Sequence, residues 1–228
     1  MEFVRSGVDA LLLCGLPEKA AVRFLKADRP DIPVVLCVHS KPDGVDLDLL
    51  PKVGVVLVDD ESIGRHIGEF FLGHGLGNFA FVAMNINYER LYGRARCAAF
   101  RDVVLSGEGG GKTFSAKMFG ACKENGDVWD LSHEAIVSWV ETLPLPCGVF
   151  ANGDYSAAVF IDVCRNLGLD IPGQIEIVSV NNSCDICEGM GVTISSVQPN
   201  FDEYARQSID MAFKIAASDG LAAEERTS

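Results

Sequence analysis

The stretch from Leu143 to Gln198 limits the fold more than any other part of the chain. Cys147 to Ala151 is an apolar run that stops in the polar cluster Asn152, Gly153 and Asp154. Apolar residues then recur at helical spacing, at Ala158, Ile161, Val163, Cys164 and Leu167, and the pattern closes on Gly168 with Pro172 beyond. Glycine just past the last periodic residue stops a helix, because it takes the left-handed conformation at no steric cost. A second apolar run, Ile175 to Val180, stops in Asn181 and Asn182. The pattern is strand, helix, strand. Open parallel sheets bind ligands outside the carboxyl ends of their strands, so function is sought at the polar tips rather than in the runs.

The rest of the chain repeats the alternation. Val8 to Cys14 is apolar without a period of two, as in a parallel strand buried on both faces. Pro17 can open a helix to about Ala27. Strands are predicted at Pro33–Val38 and Val53–Val58, the second followed by Asp59, Asp60 and Glu61. Asp59 or Asp60 can cap a helix over Ile63–Leu72, which Gly73 to Gly77 ends. There follow a strand at Asn78–Met84, a helix at Arg90–Leu105, a strand at Thr113–Phe119 and a helix at Leu131–Thr142. The final helix spans Phe201–Ala217, and the polar residues after Gly220 are expected to fray. Alternating strands and helices predict an α/β chain of doubly wound sheets with right-handed crossovers.

The 228 residues allow one large domain or two small lobes. A 48% hydrophobic content and a mean hydropathy of +0.20 fit a well-buried α/β protein. The net charge of −13 opposes a direct grip on nucleic acid, which needs a basic face. The 8 cysteines are scattered, mostly inside apolar runs, and read as buried thiols in a reducing compartment. No apolar run reaches the roughly 18 residues of a membrane span, and no basic leader precedes a cleavage site. A cytoplasmic chain with no membrane partner is expected.

The ordered set "GVFANGD", "LGLDIP", "IVSVNN" and "ISSVQP" resembles the effector-binding domain of lactose-repressor-type regulators. It is most similar to xylose-operon regulators of the AraC kind, through Trp139, Leu143, Pro144, Cys164 and Ser195-Ser196-Val197. The resemblance runs from about Val8 to about Ile215. It implies two doubly wound Rossmann-like lobes of the periplasmic binding protein type I kind. Residues 1–75 would form the N-terminal lobe, with helix 200–217 returning to it, and residues 76–199 the C-terminal lobe. The hinge crossings would fall near Gly73–Gly77 and Pro199–Asn200. Against the family pattern, the first lobe is expected to be truncated at its N-terminus and to lack the strand after the final helix. The resemblance also implies a sugar-type effector, lobe closure on it, a homodimer, and DNA contact only through a module absent from this chain. No cofactor and no enzymatic activity are expected. The alternative with the same fold is a periplasmic sugar receptor.

The resemblance further nominates site residues. Arg96, four residues before Phe100, matches the family's cleft arginine, whose planar fork suits ligand hydroxyls or a carboxylate. Arg90 stands evenly between ligand and solvent, and Arg94 and Arg101 are left to solvent. Asn152, Asp154, Asn181 and Gln198 lie at strand ends and offer donors and acceptors to sugar hydroxyls. For Asp154, a ligand contact and a helix cap are equally open. Asn181 stands where the family has Asp, which leaves Arg96 in a less negative cleft and predicts an anionic ligand. Trp129, in a polar run, could stack on a sugar ring. His39 is read as a solvated histidine.

Three other motifs stand out in the sequence. Ser106–Thr113 (SGEGGGKT) nearly fits a phosphate-binding loop, but Ser106 stands where the first glycine is required. It is the basis of a nucleotide-binding alternative. Cys184-x-x-Cys187 has a redox or metal-binding spacing, weak without a second pair. Cys147 and His133 have no spacing that supports catalysis.

Overall fold

Every strand pairing among the described residues is parallel, as the uninterrupted apolar runs require. The computed structural model describes residues 7–14, 31–39, 50, 52–84, 89–106, 111–119, 133–189, 191, 193–218 and 221–228. For residues 89–92 and 223 it describes the backbone alone. The expected helix from Pro17 to Ala27, Trp129 and the side chain of Arg90 lie outside the described residues. The chain divides into two compact units, Met1–Asp59 with Asn200–Ser228, and Asp60–Pro199.

In the first unit, β1 (Leu11–Cys14), β2 (Val34–Val38) and β3 (Val53–Leu57) form a sheet in that order. Alternate residues of a strand face opposite sides. Val34, Leu36 and Val38 gather with Ile32, Val53 and Val55 on one face. Val35, Cys37 and Val56 pack on the other against Met211, Ala212 and Ile215 of the last helix, Phe201–Ala217. Asn200 caps that helix, its side-chain oxygen accepting from the Glu203 N–H at 3.1 Å. Lys52 donates from Nζ to the carbonyls of Ile215 and Ser218 at the other end.

The tail after Gly220 does not fray. A 3-10 turn at Ala223–Arg226 leads into Thr227, which bridges Val55 in parallel. The Ser228 N–H donates to Val55 O at 3.1 Å, and its carbonyl accepts from Leu57 N–H at 2.8 Å. Arg226 anchors the turn, donating to the carbonyls of Leu50, Val53 and Leu221. The expectation of no strand after the final helix is thus corrected to one short pairing. The pairing uses backbone groups alone, and therefore leaves no apolar pattern in the sequence.

The second unit holds β4 (Asn78–Met84), β5 (Thr113–Phe119), β6 (Cys147–Ala151), β7 (Ile175–Val180) and β8 (Ser195–Val197), ordered β5-β4-β6-β7-β8. The described helices here are α1 (Asp60–Gly73), α2 (Glu89–Ser106), α3 (His133–Val140), α4 (Asp154–Asn166) and the single turn α5 (Cys184–Cys187); Phe201–Ala217 of the first unit is α6. Helices cover both faces. Phe79 and Phe81 of β4 turn one way, where Phe100 of α2 meets Phe71, Phe79, Phe114 and Phe150 edge to face. Ala80, Val82 and Met84 turn the other way, into a core with Trp139, Phe160, Ile161 and Cys164.

α1 was expected to close the first lobe, but it packs on α2. A Cβ on Gly64 would lie 2.4 Å from the carbonyl oxygen of Arg96, so only glycine permits this approach. The compact second unit thus begins at Asp60. The stop after α4 is as read from the sequence. Gly168 has φ 71°, its N–H donates to Arg165 O, and Leu169 N–H donates to Cys164 O, both at 2.9 Å.

Candidate functional site

The second sheet has a topological switch point. The chain runs from β4 out to β5 and then returns to the other side of β4 as β6. Crossovers leave in opposite directions there, which opens a crevice at the carboxyl ends of β4 and β6. Asn152 is the residue that follows β6 at this point. Its N–H still pairs with Val82 O at 2.8 Å, continuing the ladder. Its side chain is 1% exposed, and neither Oδ1 nor Nδ2 has a hydrogen-bond partner among the described residues. A buried amide without partners is costly, of order 1–3 kcal/mol per unmet group. Gly93 of α2 leaves it room, since a Cβ there would stand 3.2 Å from Asn152 Nδ2.

Arg96 lies beneath, not on, the crevice surface. It is 1% exposed, donating from Nε to Asp60 Oδ1 and from Nη1 to the Asn152 carbonyl, each at 2.8 Å. In this structure the guanidinium holds the backbone that carries Asn152. Asp60, read as a helix cap, is the buried counter-ion. A charge compensated in this way adds little net positive field at the crevice. Arg94 is exposed and Arg101 pairs with its neighbour Asp102 at the surface, as expected of both.

Asp154 is also turned inward. Oδ1 accepts from the hydroxyls of Ser179 and Ser196, and Oδ2 from the Ser183 N–H at 2.7 Å. Asp154 is buried and makes no cap bond to α4. It ties α4 to β7, β8 and the loop into α5. Ser156 does the same for β4, accepting from Met84 N–H at 2.9 Å.

Asn181, Asn182 and Gln198 are exposed at the ends of β7 and β8. Asn181 and Asn182 have φ of 107° and 53°, conformations that asparagine tolerates better than most residues. Asn181 N–H donates to Val197 O at 2.9 Å, and Asn182 Nδ2 to Gln198 Oε1 at 3.1 Å. The structure thus groups Asn152, Asn181 and Gln198 at one sheet edge, adds Asn182, and withdraws Arg96 and Asp154 into the support. His39 follows β2 in the first unit and is half-buried. Asp60, Ser156, Ser179 and Ser183 were missed, because their roles depend on contacts distant in sequence. Ser196 was visible only as part of the "SSV" motif.

Residues 69–227 match the family model of the periplasmic binding protein-like domain. The chain belongs to that family. Among curated proteins, this periplasmic binding protein-like chain is similar to the xylose operon regulatory protein of Escherichia coli K12, 24% identical over 136 residues. That alignment covers 58% of this chain and 32% of the relative, so the chain spans about a third of the length of the curated protein it matches. Among solved structures, it resembles a xylose-binding transcription activator with a TM-score of 0.71 at 19% identity, covering 94% of this chain and 54% of that one. It also resembles the periplasmic binding protein of the arabinose ABC transporter from Shewanella sp. ANA-3, with a TM-score of 0.68 at 19% identity, covering 100% of this chain and 72% of that one. No helix among the described residues is long and apolar enough to cross a membrane. No group of three or more His, Cys, Asp or Glu among them could hold a metal ion.

Proposed function

We propose that this chain is the carbohydrate-binding effector domain of a transcription regulator. One observation carries the binding half of that reading: the unpartnered amide of Asn152, held at the switch point of an open parallel sheet. A ligand hydroxyl can accept from Nδ2 and donate to Oδ1 at once. Asn181, Asn182 and Gln198 at the same edge are amides as well. With Arg96 neutralised by Asp60, this set suits an uncharged polyhydroxy ligand. The regulator half is supported by similarity to the xylose operon regulatory protein. A net charge of −13 leaves DNA contact to a module carried elsewhere. Ligand would act by shifting a pre-existing conformational equilibrium that such a module reads. The same reading places the chain in the cytoplasm, acting by binding and not by catalysis. It also places it in a homodimer, to which exposed Ile209 and Phe213, one turn apart on α6, would contribute apolar surface.

Calorimetric titration against neutral pentoses and hexoses, uronic acids and phosphosugars tests the binding reading. A saturable neutral ligand is expected, with Asn152→Ala weakening it by about tenfold or more, one lost hydrogen-bonded group. Failure of every sugar to bind would overturn it.

The similarity to the arabinose-binding protein supports a second reading, a periplasmic sugar receptor. Cell fractionation separates the two. The nucleotide-binding alternative fares worse. Gly107–Gly110 lie outside the described residues, but α2 ends at Ser106 and β5 starts at Thr113. A phosphate loop joins strand to helix, and this segment joins helix to strand.

A further inference from the structure

We propose that Cys184 and Cys187 are a redox-active dithiol, which closes to a disulfide by exchange with a low-molecular-weight disulfide such as oxidised glutathione. The two residues begin and end the single turn α5. Positions three apart are neighbours on a helical turn, which brings the two residues within reach of each other. Their surroundings differ. Cys184 is exposed, while Cys187 is 4% exposed and packs in the core of the second unit. Backbone bonds fix the turn: Cys187 N–H donates to Ser183 O at 2.9 Å, Glu188 N–H to Cys184 O at 3.0 Å, and Ile194 N–H to Cys187 O at 3.1 Å.

A buried carboxylate completes the arrangement. Asp154 lies close enough to Cys187 for its carboxylate to act on the thiol. Asp154 is in turn held by Ser179, Ser183 and Ser196, so its position is set by three separate elements. Burial, and then the Asp154 carboxylate, push the Cys187 thiol up to about 11. It therefore keeps its proton at neutral pH and must lose it on reacting. Asp154 is the group in place to take it.

The chemistry divides between an outer and an inner sulfur. The Cys184 thiolate attacks one sulfur of the small disulfide, forming a mixed disulfide and releasing one thiolate. Cys187 passes its proton to Asp154 as its sulfur attacks Cys184 Sγ. The mixed disulfide breaks, the second thiolate departs, and the protons leave with the two released thiols. Two protein thiols are oxidised and one small disulfide is reduced to two thiols. None of these steps depends on the sugar-binding reading.

The test uses the whole chain. Wild-type protein is equilibrated in glutathione buffers of graded ratio, quenched in acid, alkylated, digested and mapped by mass spectrometry. The expected result is loss of two alkylatable thiols, joined within the peptide that carries Cys184 and Cys187. Cys184→Ser should abolish it, and Cys187→Ser should stop at a glutathione adduct on Cys184. Asp154→Asn should slow closure by roughly a hundredfold at neutral pH, as loss of a general base does, with the rate recovering as pH rises. Retention of both thiols, a lasting glutathione adduct in the wild type, or a disulfide mapped to Cys14 and Cys37 instead would overturn the proposal. The wild-type map decides this even if a variant fails to fold.

Discussion

Arg96 Nε and Asp60 Oδ1 lie 2.8 Å apart, with 1% and 2% of the two side chains exposed. The pair joins the first residue of α1 to the middle of α2, and through Arg96 Nη1 to the carbonyl of Asn152. Arg96→Ala would leave the Asp60 carboxylate buried without its counter-ion. Loss of one member of a buried pair costs about 3–5 kcal/mol. Urea denaturation should show that loss, and Asp60→Asn with Arg96→Met should cost less than the sum of the single changes. A wild-type midpoint for Arg96→Ala would contradict the assignment.

Gly64 is the contact point between α1 and α2. A methyl group there meets the Arg96 carbonyl and, at 3.0 Å, the Ala99 Cβ, neither of which can swing away. Gly64→Ala should therefore destabilise by about 1–3 kcal/mol, although alanine is the better helix former. Thermal melting measures it, and a stabilised variant would show that the helices can separate at no cost.

Ligand preference can be set by a single charge. Asn181→Asp adds a carboxylate to an edge whose exposed members Asn181, Asn182 and Gln198 are uncharged. The variant should keep or improve affinity for neutral sugars and lose uronic acids and phosphosugars from any weak binding they show in the wild type. Competition titration ranks them. A wild type that prefers an anionic sugar would return the earlier expectation based on Arg96.

Thiol reactivity should follow burial. Cys147 and Cys164 are pushed up to about 12 by burial, Cys147 also by Cys164, and Cys97 up to about 11 by burial. The thiolate is the reactive form, so at pH 8 these three are almost wholly protonated. Native alkylation should mark exposed Cys14 and Cys184 first and spare Cys147 and Cys164 until denaturant is added. Early labelling of Cys147 would contradict the packing of β6.

In the second unit β4, β6 and β7 were legible because burial on both faces writes an apolar run, whereas the largely exposed β5 has no such run and the three-residue β8 was not read as a strand. Asn78–Met84, Thr113–Phe119, Cys147–Ala151 and Ile175–Val180 appear in the structure with those bounds. Asn152 was legible from its place after such a run. Arg96 was not, because its partner Asp60 stands in another helix and looked like a cap. Asp154 was equally opaque, since a carboxylate that caps and one that binds three serines look the same in one dimension. The pairing of Thr227 with Val55 left no mark, as a backbone bond has no side-chain signature.

The second unit is one unbroken segment, Asp60–Pro199, whereas the first is assembled from Met1–Asp59 and Asn200–Ser228. On the ribosome, the second unit is complete before α6 exists. Until then Val35, Cys37 and Val56 have no Met211, Ala212 or Ile215 to cover them. The nascent chain therefore carries a bare apolar sheet face through the synthesis of more than half its length, and that interval is when chaperones have most to bind.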